Sequence, residues 1–152
     1  MLGLRKGNIE MRKRITRETG LRRLLYLARL LEKLPRRRFY FGTWVGGKWK
    51  GSPDLSCGTA ACAFGWATTV KQWRKEGLRL GRDGPYIYGA RTQEATVVHA
   101  ARAIFAITEP EMTYLFVPDW SWSYLSADAS NLEAAAHIRK FVAGHRRGKS
   151  TT

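Results

Sequence analysis

The segment from Leu55 to Val70 carries no charged residue, and it is dense in small side chains: Gly58, Ala60, Ala61, Ala63, Gly65 and Ala67. An uncharged run of this kind is buried on most sides when it folds as a helix. It falls short of the ~20 apolar residues that a membrane-spanning helix needs, and Ser56, Gly58, Thr59 and Gly65 interrupt it. With Ser56 as N-cap, the pattern predicts a central helix over about 57–73. Its small residues let neighbouring elements approach closely, and Phe64, Trp66, Val70 and Trp73 supply the bulk.

The rest of the chain supplies elements to pack around it. Leu21, Leu24, Leu25, Ala28 and Leu31 recur at helical spacing and predict a first helix over about 18–34, stopped by Pro35. A Gly-Gly turn between Trp44 and Trp49 suits a hairpin. Short strands are expected at Leu78–Leu80 and Tyr86–Tyr88, around the turn residues Gly81 to Pro85. A third helix is expected over about 93–107 with Thr92 as N-cap. Thr108/Glu111 and Ser130/Glu133 have capping-box spacing, for a fourth helix to Phe116 and a fifth that ends at Gly144. The expected fold is mainly α: about five helices around the small-residue helix, with a minor β-hairpin or small sheet. At 152 residues it is one domain. Residues 1–15 read as a basic arm, 16–144 as the globular body and 145–152 as a basic tail.

The net charge is +15 and is unevenly spread. Residues 1–38 hold 13 basic and 3 acidic side chains; residues 92–138 hold 1 and 6. A basic excess of this size favours an anionic partner and excludes an acidic mimic of DNA. Arg12, Lys13, Arg14, Arg17, Arg22, Arg29, Lys33, Arg36, Arg37 and Arg38 are the candidate phosphate contacts. Arg22, Tyr26, Arg29 and Lys33 are spaced i, i+4, i+7, i+11, which puts them on one stripe of the first helix. Tyr26 there is a candidate for stacking on a base. The alternative is a solvated, solubilising face, and basic residues near a helix carboxyl end also complement the macrodipole. No helix-turn-helix, zinc-finger or RNP signature points to sequence-specific readout.

The run Cys57-Gly58-Thr59-Ala60-Ala61-Cys62-Ala63-Phe64-Gly65-Trp66-Ala67 resembles the signature of a family of small bacteriophage and proteobacterial proteins. The order of the parts is similar too: Leu34-Pro35, Phe39 and Trp44, the Cys-Gly-Thr helix, Gly84-Pro85-Tyr86, an alanine-rich helix, then Leu115-Phe116-Val117-Pro118. The likeness covers roughly residues 20–143, and the basic N-terminal arm departs from it. It implies a phage or prophage setting, with no catalytic residues. An anti-defence or host-takeover role follows from that setting by analogy alone.

Nothing in the chain names a reaction. Cys57, at a helix N-terminus, is the candidate nucleophile of a cysteine hydrolase, with His99 or His137 as base. Against this, free cysteines are among the most buried residues, and Cys57 and Cys62 serve equally as core fillers. Positions i and i+5 of a helix point about 140° apart, which argues against a metal site or a disulfide between them. No metal and no cofactor are expected. Trp120, Trp122 and Tyr124 form an aromatic loop, either a docking surface for a host protein or a lid on the core. No signal peptide is visible, so a cytoplasmic protein without a membrane partner is expected. The leading expectation is a non-enzymatic accessory protein that binds nucleic acid or a nucleoprotein complex. A cysteine hydrolase and a protein-interaction module stand as alternatives.

Overall fold

The computed structural model describes residues 14–39, 62–81, 84–89, 96–117 and 129–150, with side chains to 146 in the last segment. The fold is mainly helical with a two-stranded antiparallel sheet. Helix α1 is Arg17–Glu32, followed by a 3-10 turn at Arg36–Arg38. Two short helices follow, α2 (Ala63–Ala67) and α3 (Lys71–Lys75). Strands β1 (Leu78–Gly81) and β2 (Gly84–Ile87) lead to α4 (Val97–Phe105), α5 (Glu109–Phe116) and α6 (Asn131–Ser150). The expected Trp44 hairpin lies outside the described residues.

The expected central helix over 57–73 is replaced, within the described residues, by two five-residue helices. Cys62, not Ser56, caps the first, its Sγ accepting the Gly65 N–H at 3.4 Å. The break comes at Thr68 and Thr69, whose hydroxyls donate to the carbonyls of Gly65 (2.6 Å) and Trp66 (2.7 Å). Threonine back-bonding of this kind competes with the helical ladder, and a third β-branched residue, Val70, follows. The burial expectation holds for α2, where all five residues are buried. Phe64 packs on Phe105 and Phe116 with ring centroids 5.6 and 5.1 Å apart, and Trp73 meets Phe105 at 5.3 Å in a T-shape.

Helices α1 and α6 run antiparallel. Asn131, at the start of α6, meets the carboxyl end of α1, while Arg146 reaches Glu18 at the amino end of α1. Leu21, Leu24, Leu27, Ala28 and Leu31 of α1 and Ala134, Ala135, Ile138 and Val142 of α6 are buried in one core. Both capping boxes form. Thr108 N–H donates to Glu111 Oε1 (2.9 Å) and Ser130 N–H to Glu133 Oε1 (3.0 Å), and each hydroxyl accepts in return. Helix α6 does not stop at Gly144. It continues to Ser150, held where His145 Nδ1 meets the Phe141 carbonyl and Arg146 pairs with Glu18, so the expected tail from 145 is largely helix.

Helix α4 starts later and ends sooner than expected. Thr96 is its N-cap, and Ala106 ends it in the left-handed region at φ 54°. The hairpin pairs Leu78 with Ile87 and Gly81 with Gly84, so the second strand lies two residues earlier than expected at its start and includes Pro85.

One close approach fixes how α1 sits. A Cβ built on Gly20 would lie 1.9 Å from the Phe105 carbonyl oxygen, so the α1 backbone passes directly over the end of α4. Alanine normally favours a helix over glycine by up to ~1 kcal/mol. Here Gly20→Ala forces two backbones apart, and the expected result is a loss of about 2 kcal/mol or more in urea unfolding. Ala106→Gly relieves a left-handed penalty of ~1–2 kcal/mol, part of which returns as unfolded-state entropy. Its expected effect is a gain of about 0.5–1 kcal/mol by the same measurement.

Candidate nucleic-acid interface

Arg22, Tyr26, Arg29 and Lys33 are all exposed, along the side of α1 turned away from the core. Helix α1 also carries two acids, and both are directed to α6. Glu18 pairs with Arg146 at 2.7 Å, and Glu32 takes Arg139 through two bonds of 3.0 and 2.8 Å. The Arg139 hydrogen bond, with the field of Arg29 adding to it, holds the Glu32 carboxyl below its ordinary range. Arg22, Arg29, Lys33 and Arg37 make no ion pair with any described residue. Arg14, just ahead of α1, is exposed; Arg36 is exposed as well, and its Nη1 donates to the Phe39 carbonyl at 3.2 Å. Arg12 and Lys13 lie outside the described residues.

Two of the candidate phosphate contacts are engaged within the fold. Arg17 forms a two-pronged pair with Glu111 at 2.8 and 2.5 Å and also donates to the Ala106 carbonyl at 2.8 Å. Arg38 stacks its guanidinium on Trp66, 4.8 Å from the ring centroid, while Trp66 Nε1 donates to the Arg38 carbonyl at 2.8 Å. Neighbouring Arg23 behaves like Arg17. It binds both oxygens of Glu76 and donates to the Ile104 carbonyl at 3.2 Å. Arg17 and Arg23 thus close on the carboxyl end of α4 from either side of Gly20. Of the six glutamates among the described residues, Glu18, Glu32, Glu76 and Glu111 each pair with an arginine.

The exposed stripe borders a second basic element that the sequence reading passed over. Tyr26 meets Trp73 of α3 in a T-shape, with ring centroids 5.8 Å apart. Trp73 is the buried residue of α3, and Lys71, Arg74 and Lys75 around it are exposed. A lone aromatic among basic residues in Lys71-Gln72-Trp73-Arg74-Lys75 is the available signal, hidden by treating Trp73 as the end of a longer apolar helix.

The cysteine chemistry finds no assembled site among the described residues. Cys57 lies outside them, as do Trp120, Trp122 and Tyr124. Cys62 is buried, and burial pushes its thiol up to about 12. His137 is buried too, stacked on Tyr114 with centroids 4.4 Å apart, and its Nε2 lies 2.8 Å from the Tyr114 carbonyl. Burial lowers its pKa, which keeps the ring neutral as donor to that helix end. His99 is half-buried on α4, its backbone N–H taken by Thr96. No group of three or more His, Cys, Asp or Glu among the described residues is placed to hold a metal ion. No helix among them is long and apolar enough to cross a membrane. No protein-family model matches the chain, and no curated protein or solved structure matches it either.

Glu111 offers a pH test of the Arg17 clamp. Burial works to raise this carboxyl, but the Arg17 guanidinium and the Thr108 N–H outweigh it and bring it from an ordinary 4.5 to about 2. A carboxyl lowered on folding stabilises above its unfolded value and loses that contribution as pH falls towards its folded one. Unfolding stability is therefore expected to drop between about pH 4.5 and 2. Glu111→Gln still accepts from Thr108 but has no charge for Arg17. Chemical denaturation across this range should show a lower plateau at neutral pH and a flatter acid limb for the variant.

Proposed function

We propose that this protein binds nucleic acid, alone or within a nucleoprotein complex, through the outward face of α1 and the basic arm before it. The role is that of a non-enzymatic accessory protein of the phage type, as the motif resemblance implies. The observation that carries the reading is the separation of charge on α1. Its acids Glu18 and Glu32 are paired with α6, while Arg22, Arg29 and Lys33 stand exposed on one stripe and make no ion pair with any described residue. Cations arranged in this way neutralise phosphates and release condensed counterions, which supplies most of the affinity for a polyanion independently of sequence. A merely solubilising face would not need its acids drawn off to one side.

The test is titration of a labelled oligonucleotide at several salt concentrations. Affinity should fall steeply as salt rises. The triple substitution Arg22→Gln, Arg29→Gln, Lys33→Gln should weaken binding and reduce the slope of log K against log salt by about 2 to 3. Its unfolding transition should stay within about 0.5 kcal/mol per site of the parent, because these side chains are exposed. Removal of residues 1–13 should lower the slope further. Binding that ignores salt, or no binding to any polymer, overturns the reading.

A further inference from the structure

Three large hydrophobic residues are left exposed among the described residues, and two of them are tyrosines attached to basic elements. Tyr26 is 50% exposed and Tyr88 65%. A chain of contacts joins them. Tyr26 packs against Trp73, and α3 carries Trp73 between the exposed Lys71 and Lys75. The Arg74 carbonyl of α3 accepts Arg79 Nη1 at 2.7 Å, and the Arg79 guanidinium lies 5.6 Å from the Tyr88 ring centroid. The Tyr88 backbone is held in the hairpin, its N–H donating to the Gly77 carbonyl at 2.7 Å.

We propose that the partner is single-stranded rather than duplex nucleic acid, bound along α1, α3 and the hairpin with Tyr26 and Tyr88 as base-stacking platforms. The inference rests on the polyanion reading above and narrows it to one ligand class. A duplex presents phosphates and groove edges, and exposed phenol rings gain nothing from it while its bases stay stacked. A single strand presents unstacked bases, which stack on aromatic side chains while cations follow the backbone. Each ring already has a neighbour, Trp73 for Tyr26 and the Arg79 guanidinium for Tyr88, which limits the side-chain freedom lost on binding. Lys71 and Lys75 supply the charge between them.

Fluorescence anisotropy decides this with oligothymidylate of about 20 nucleotides and a duplex of the same length as probes. The single strand should bind more tightly. Tyr26→Ala and Tyr88→Ala should each weaken it about 5-fold or more, the effect of losing one stacked base. The salt slope should not change, and Tyr→Phe at either position should restore binding. Lys71→Gln with Lys75→Gln should instead lower the slope. Circular dichroism checks that each variant is folded; if Tyr26→Ala is not, the more exposed Tyr88→Ala carries the test. Equal or tighter duplex binding, or tyrosine variants without effect while the α1 cations still matter, overturns the strandedness and leaves the polyanion reading standing. No binding to either probe overturns both.

Discussion

The last four carbonyls of a helix have no donor within it. Helices α2 and α3 are five residues long, and the turns that follow them supply backbone donors: Thr68, Thr69 and Val70 to the carbonyls of Gly65, Trp66 and Ala67, and Gly77 to that of Arg74. Side chains from other elements add further donors at the helix ends. Asn131 donates to the Leu31 and Leu34 carbonyls at the end of α1, and His137 to that of Tyr114 in α5. Arg74 reaches the Thr68 carbonyl after α2, and Arg79 that of Arg74 in α3. Arg17 takes the carbonyl of Ala106, which caps α4, and Arg23 that of Ile104 in its last turn. A buried carbonyl with no donor at all costs about 1–3 kcal/mol. A second donor to one already bonded, as at Leu31 and Arg74, adds less, and a guanidinium also complements the negative end of the macrodipole. These contacts cross between elements, so the same bonds that close helix ends hold the helices together.

This divides the basic residues into two populations. One serves helix ends and carboxylates: Arg17, Arg23, Arg74, Arg79, Arg139 and Arg146. The net charge therefore overstates what is offered to a partner, and Arg17 belongs to the first population although its position beside the basic arm placed it with the second. The second population lies on the outward stripe of α1 and beside Trp73 on α3. On α3 its members are both lysines, Lys71 and Lys75, as suits charges that face water rather than a fixed carbonyl.

What the sequence made legible was local. The apolar stripe of α1 and the two capping boxes involve residues three or four apart, and each formed where the spacing put it. The exposure of Arg22, Tyr26, Arg29 and Lys33 follows from the same periodicity. The boundaries that moved depend on contacts distant in sequence. Helix α4 ends at Phe105 without a glycine, because α1 crosses there and Arg17 and Arg23 hold its carbonyls, which keeps Ala106 left-handed. Helix α6 passes Gly144 because Glu18, some 128 residues away, holds Arg146. The break at Thr68 was local and still hidden, since small apolar residues on either side make a continuous helix look satisfactory until the hydroxyls are seen to take its carbonyls.

The candidate interface inherits its orientation from this arrangement rather than from its own charges. Successive residues of a helix point about 100° apart, so a small rotation of α1 about its axis would turn the Arg22-to-Lys33 stripe towards α6 or α3. Gly20 against Phe105 fixes the rotation near the amino end, with Arg17 and Arg23 gripping on each side. Asn131 fixes it at the carboxyl end. None of these residues faces the stripe, and none of the stripe residues takes part in the grip. The proposed binding surface and the contacts that hold the fold lie on different sides of one helix, so charge can be removed from the outward side without loosening the helix that presents it.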